Sequence, residues 1–206
     1  MHGIKGRMDS EHIWDQRLQI HTAGRDDVRA DAYRYPYEPT PYTVLERLAG
    51  SGLVGSGDVV LDYGAGKGRV DFFLSSQTQA GAIGIEYDER IFADALENQR
   101  SATKEAKVDF VLARAEAYEV PPEVNRCYFF NPFSVEILHT VMARILESYY
   151  GHPREVFLFF YYPSDEYISY LMTVEELEFF DEIQCEDLFA GNDIRERILI
   201  FSLPPL

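Results

Sequence analysis

The sequence predicts an α/β fold, a doubly wound and mostly parallel sheet with an antiparallel hairpin at its C-terminal edge. Three observations carry this. Short apolar runs alternate with segments of helical spacing from residue 58 onward. A glycine-rich turn directly follows the first of those runs. After about residue 165 the alternation gives way to two strand-like runs joined through Gly191-Asn192-Asp193. Strand, helix, strand with short links implies parallel strands covered on both faces.

Each element can be justified in turn. Residues 1–30 are polar, with few large apolar side chains apart from Ile4, Ile13, Trp14, Leu18 and Ile20. They predict an arm, helical around Glu11–Ile20 and otherwise mobile. Tyr35-Pro36-Tyr37-Glu38-Pro39-Thr40-Pro41-Tyr42 places three prolines where no helix interior can form. Thr40 or Pro41 can then open a helix through Leu45 and Leu48, ending near Gly50 and Gly52. Asp58–Asp62 is a glycine-bounded apolar run and reads as a buried strand. A helix over Arg69–Ser76 and a second strand over Ala82–Glu86 follow. Asp88 can cap a helix that carries Ile91, Phe92, Ala95 and Leu96 on one face. Further strands are expected over Val108–Leu112, Arg126–Phe130 and Val156–Tyr162, with a helix over Val135–Tyr149 between the last two. A helical segment around Glu166–Met172 precedes the final pair, Glu182–Leu188 and Arg195–Phe201. These elements divide into an N-terminal arm and lid-like segment (1–55) and one globular unit (56–206).

Composition limits the rest. The 206 residues suffice for one core, which at this size buries roughly 70% of the unfolded surface without a disulfide or metal. Cys127 and Cys185 are far apart, and the five histidines do not cluster with them or with carboxylates at ligand spacing, so no metal is expected. No run approaches the ~20 apolar residues of a membrane helix, and residues 1–30 lack the apolar core of a signal peptide; a cytoplasmic location and no membrane partner are expected. With 35 Asp and Glu against 19 Lys and Arg, the formal charge is −16. That excess disfavours polyanionic partners such as nucleic acid, because like charges repel.

The chemistry concentrates in Asp62-Tyr63-Gly64-Ala65-Gly66-Lys67-Gly68-Arg69. Glycines after a buried strand allow a tight turn and close approach of a ligand to backbone, and the next helix adds unpaired N–H groups. Glu86 stands twenty-two residues past Gly64, a spacing that suits a carboxylate accepting from ribose hydroxyls. A dinucleotide site wants G-x-G-x-x-G, yet Arg69 occupies the third glycine position. Asp62 would also repel a pyrophosphate and suits a ligand with an ammonium group. A dinucleotide-dependent oxidoreductase is therefore disfavoured.

The pattern D-x-G-x-G-x-G with an acid ending the second strand resembles the nucleotide-binding half of class I S-adenosylmethionine-dependent methyltransferases, over roughly residues 56–163. The resemblance implies S-adenosyl-L-methionine as cofactor. Asp62 would hold its amino group, directly or through water. Tyr63, Gly64, Ala65, Gly66 and Gly68 would line it, Glu86 would bind the ribose, and Tyr87 would lie against adenine. Ala115 and Glu116 fall where the family often contacts adenine; Arg114 stands where an acid is common.

Asn131-Pro132-Phe133 ends the fourth strand and resembles, with one proline missing, the (N/D)-P-P-(Y/F) motif of amino-group methyltransferases. The resemblance implies a catalytic role for Asn131, Pro132 and Phe133, with Asn131 also near the cofactor and a nitrogen acceptor on a protein or small molecule. Asn-Pro can equally be a strand-ending turn with Ser134 capping the next helix. Tyr35, Tyr37 and Tyr42 ahead of the first strand, and Tyr161 and Tyr162 ending the fifth, are candidates either for core packing or for aromatic faces that attract cations. A non-catalytic module that keeps the fold and binds only cofactor or partner is the remaining alternative.

Overall fold

The computed structural model describes residues 11–28, 33–103 and 106–205. Seven strands form one sheet: β1 (Val59–Tyr63), β2 (Gly81–Glu86), β3 (Lys107–Leu112), β4 (Arg126–Phe129), β5 (Val156–Tyr161), β6 (Glu178–Gln184) and β7 (Arg197–Leu203). Their spatial order is β3-β2-β1-β4-β5-β7-β6. The first five are parallel, and β7 runs antiparallel between β5 and β6. The order reverses between β1 and β4, so a crevice opens beyond their carboxyl ends, where ligands of such sheets bind.

Helices cover both faces: α1 over 11–18, α2 (Tyr42–Gly50), α3 (Arg69–Thr78), α4 (Glu89–Ser101), α5 (Val135–Gly151) and α6 (Asp165–Leu171). Successive strand residues point to opposite faces. Val60 therefore joins Phe72, Tyr128, Phe159 and Ile200 in one apolar cluster, while Leu61 and Tyr63 join Phe129, Leu158 and Phe160 under α5 in another. Leu18, Ile20, Val44, Leu45 and Leu48 are buried in the first cluster, so α1 and α2 share their core with the sheet. Asp88 caps α4 as the sequence predicts, its carboxylate accepting from the Arg90 N–H at 2.9 Å.

The C-terminal pair differs from expectation in register. The strand expected over Glu182–Leu188 lies at Glu178–Gln184, and residues 186–188 form a 3₁₀ turn. β6 is an edge strand with most side chains in solvent and an irregularity between Phe179 and Asp181, so it lacks the apolar alternation that marks its partners. Its partner likewise runs over Arg197–Leu203 and not Arg195–Phe201. Among the described residues, no helix is long and apolar enough to cross a membrane.

Candidate functional site

The turn after β1 is built from left-handed glycines: φ is +80° at Gly64, +58° at Gly66 and +86° at Gly68. The N–H groups of Gly64 and Ala65 both donate to the Ile85 carbonyl, at 3.0 and 2.9 Å, which fastens the turn to the end of β2. A Cβ on Gly66 would fall inside the Tyr37 ring, and one on Gly64 would come within 2.7 Å of Pro132 Cβ. Positive φ and close cover thus both require glycine here.

Beside this turn lies a cavity at the carboxyl ends of β1, β2 and β4. Of the residues predicted from sequence, Asp62, Gly64, Ala65, Glu86, Tyr87, Ala115, Glu116, Pro132 and Phe133 line it. Tyr63 does not. The pleat that turns Asp62 toward the cavity buries Tyr63 on the α5 side, where its ring stacks on Phe129 at 4.7 Å. Gly66 and Gly68 also stand back from the cavity, under the rings of Tyr37 and Phe110. Asn131 opens onto a second, adjoining cavity. Arg114 is exposed and lines neither, whereas Glu116 faces the first.

Six acidic residues line the first cavity, and three of them, Glu86, Asp62 and Glu116, sit in clearly different settings. Glu86 accepts the N–H groups of Tyr87 and Asp88 on Oε1, both at 2.8 Å, and of Gly66 on Oε2 at 3.0 Å. Burial raises its pKa while these donors oppose the rise. Oε2 keeps a lone pair for a ligand hydroxyl. Asp62 is only 3% exposed, and burial pushes its carboxyl up to about 7, partly opposed by a hydrogen bond from Asp71. Asp71, on the first turn of α3, is wholly buried; neither oxygen meets a donor group, and desolvation together with the facing Asp62 raises it far above the usual carboxylate range. The two acids share the site, and burial raises both. Glu116, the third, receives Nη2 of Arg34 at 2.7 Å.

Sequence reasoning missed Asp71, Arg34 and the role of Arg69. Asp71 carried no signal, because the helical pattern of α3 says nothing of what its buried face meets. Arg34 belongs to the Tyr- and Pro-rich stretch, which runs across the site: the Tyr35 N–H donates to the Pro132 carbonyl at 3.3 Å, and the Ser134 N–H to that of Tyr33 at 2.8 Å. Residues Arg34 to Thr40 line the first cavity, with the Arg34 guanidinium 5.2 Å above the Tyr87 ring. Tyr42 and Tyr161 are core residues, 0% and 2% exposed. Arg69 is 2% exposed and ties the N-terminal segment down. It donates to Thr22 Oγ1 (2.7 Å), to the Thr40 carbonyl (3.2 Å) and to Glu11, and lies 4.3 Å over the Tyr42 ring. The segment expected to be mobile beyond residue 20 is, in its described part, docked by these contacts and by Tyr37 Oη donating to the Thr22 carbonyl at 2.6 Å. Among the described residues, no group of three His, Cys, Asp or Glu side chains could hold a metal.

The second cavity shares Tyr35, Pro36, Glu38 and Phe130 with the first. Asn131 lines the second cavity in a left-handed conformation (φ +40°), as does Tyr162 at the end of the next strand (φ +51°). One hydrogen bond joins these residues: Asn131 Nδ2 donates to the Tyr162 carbonyl at 2.7 Å. Asn131 Oδ1 is buried without a partner. A left-handed tyrosine is costly, and such strain gathers at functional sites.

No protein-family model matches the sequence, and no curated protein matches it. Solved structures do. An RNA methyltransferase from Salinibacter ruber, in complex with S-adenosyl-L-homocysteine, superposes with TM-score 0.52 at 18% identity, covering 81% of this chain and 94% of that one. The N-methyltransferase NodS from Bradyrhizobium japonicum gives 0.56 at 14%, covering 80% and 93%. A TehB-like S-adenosylmethionine-dependent methyltransferase from Corynebacterium glutamicum gives 0.56 at 15%, covering 79% and 88%. At these identities the likeness speaks to architecture alone. The chain has the class I methyltransferase fold.

Proposed function

We propose that this chain is an S-adenosylmethionine-dependent methyltransferase acting on nitrogen. The observation that carries the reading is that two buried carboxylates, Asp62 and Glu86, share one cavity wall with the left-handed Gly64 turn. The residues fit the cofactor: Asp62 offers charge for an ammonium, Glu86 a lone pair for a ribose hydroxyl, and Tyr87 a flat face for a purine. Bound there, S-adenosylmethionine would supply an electrophilic methyl group on a sulfonium. The protein's own contribution is alignment. Asn131 Oδ1, buried and without a donor, can accept an N–H of the acceptor and turn the nitrogen lone pair toward the first cavity. Its Nδ2 is held by Tyr162, which fixes the amide's orientation.

The charge of −16 argues against a polyanion, yet RNA methyltransferases share this fold, so net charge alone does not decide the acceptor. Local chemistry must. No helix among the described residues calls for a membrane, and a cytoplasmic location agrees with this reading.

Calorimetric titration with S-adenosylmethionine tests the proposal, with NAD as control. Binding in the micromolar range, roughly −8 kcal/mol, is expected; Glu86→Ala should abolish it and Asp62→Ala should weaken it about tenfold to a hundredfold. Absence of binding by the folded protein, or tighter binding of NAD, would overturn the reading.

A further inference from the structure

We infer that the second cavity is the acceptor site and that it takes an alkylamine, a cation before it reacts. This rests on the methyltransferase reading for its purpose, though not for its chemistry. The walls are aromatic: Phe130 and Tyr161 lie 4.7 Å apart between ring centres, and Tyr162 lies 6.2 Å from Tyr161. Tyr35, 42% exposed, closes the side shared with the first cavity. Aromatic faces attract ammonium groups, and Tyr162 already carries a guanidinium, that of Arg195, 4.7 Å from its ring centre.

The polar groups around the cavity are mostly acceptors. Glu38 and Glu196 line it, and Asn131 Oδ1 is buried beside them without a donor. Glu196 receives the Tyr161 hydroxyl at 2.6 Å. Among the described residues the lining cation is Arg25, more than half exposed and 3.6 Å from Glu38, a loose surface pair that a ligand can displace. Arg195 stands outside and is matched by Asp193 at 2.9 Å. Among the described residues, a phosphodiester entering here would meet two carboxylates and one exposed arginine. An alkylammonium would meet π faces, two carboxylates and an amide oxygen. The observations therefore favour an aminoalkyl chain over the base of a polynucleotide.

The placement also accounts for the proton. An ammonium has no lone pair, so it must lose one proton before it can react. Glu38, on the boundary of both cavities and open to water, is placed to take that proton and pass it to solvent. The nitrogen lone pair then forms the N–C bond while the electron pair of the broken C–S bond stays on sulfur, leaving a neutral thioether.

Ligand-observed NMR tests this with n-hexylamine, n-hexanol and a single-stranded oligoribonucleotide, each with and without S-adenosylhomocysteine. Hexylamine should bind and hexanol should bind at least about tenfold more weakly, the difference being the charge. Glu196→Gln and Glu38→Gln should each weaken hexylamine by roughly threefold to tenfold. Tyr162→Leu should weaken it similarly, whereas Tyr162→Phe, which keeps the ring, should not. Equal binding of hexanol, indifference to both acid substitutions, or competition by the oligoribonucleotide where hexylamine fails would overturn the proposal. Failure of S-adenosylhomocysteine to bind while hexylamine still answers to Glu196 would defeat the methyltransferase reading and leave the amine site standing.

Discussion

Glu86 and Asp62 end neighbouring strands and face the same cavity, yet the fold treats them in opposite ways. Glu86 is met by three backbone N–H groups from the turn and from the start of α4. Asp62 is met by another acid, Asp71, at the start of α3. The first arrangement satisfies a charge inside the protein and in doing so shapes the glycine turn. The second leaves a charge wanting, and only a cation from outside can complete it. One carboxylate is chiefly a clamp that can also touch a ligand; the other is held in reserve for one.

The largest effect should come from breaking the clamp. Glu86→Ala orphans three buried N–H groups, and each unsatisfied donor costs about 1–3 kcal/mol. Chemical denaturation is expected to show a loss of about 2–4 kcal/mol, with cofactor binding gone as well. Asp62→Ala should separate the two properties. It removes a carboxyl that destabilises the empty protein, so stability at pH 8 should hold or rise. Affinity for S-adenosylmethionine should still fall about tenfold to a hundredfold, the worth of one charge-assisted contact. A parallel loss of stability and affinity in both variants would erase the distinction between the two acids.

The proton on the acid pair gives a subtler test. Asp62 titrates near 7 in the folded chain and near 4 when unfolded, so between those values the native state binds the extra proton. Asp71 is raised further still and keeps its proton over the same range, so stability should fall as pH rises from about 4 to about 7 and then go on falling less steeply, at about 1.4 kcal/mol per pH unit for each extra proton the native state holds. Binding of a cationic amino group needs the ionised form, so cofactor affinity should rise across the same approach to neutrality, with proton release below about pH 7. Asp71→Asn replaces the buried acid with an amide that cannot ionise. Both slopes should flatten, and calorimetry in buffers of different ionisation enthalpy should then record no proton release.

How much of this was legible follows from where the information resides. The glycine turn is local: Asp62, the glycines and the strand before them are contiguous, and Glu86 is one βαβ unit away. Sequence spacing therefore captures the sheet, the caps and that wall of the cavity. Tyr63 was misplaced because a motif read as a string ignores the pleat. Asp71 and Arg69 were missed for a different reason. Their roles arise from what α3 packs against, namely Asp62 on one side and Glu11, Thr22 and Thr40 on the other, and no local pattern encodes that meeting. Arg69 was read only as a departure from a dinucleotide motif, although its guanidinium fastens the N-terminal segment over the site. The edge strand β6 was expected but placed four residues late, because solvent exposure removes the apolar alternation that marks a strand's bounds.

The smallest expected effect lies at the third carboxylate, which sharpens the comparison by adding an intermediate case. Glu116 is completed by a side chain, Arg34, rather than by backbone or by another acid, and the two are 26% and 17% exposed. A partly solvated pair of this kind contributes about 1 kcal/mol or less, so Arg34→Ala should lower stability only slightly. Its effect on ligands should be selective, because Arg34 also covers the Tyr87 ring, 5.2 Å from its centre. Adenosine should change its affinity in Arg34→Ala by up to about fivefold, through the altered stacking surface. Methionine amide, which would reach only Asp62, should not respond. The Asp62→Ala variant should show the reverse, and a competition series with these two fragments reads both. If both fragments respond equally to both substitutions, the carboxylates act as one diffuse negative wall and the division of labour between β1, β2 and the turn at residues 115–117 fails.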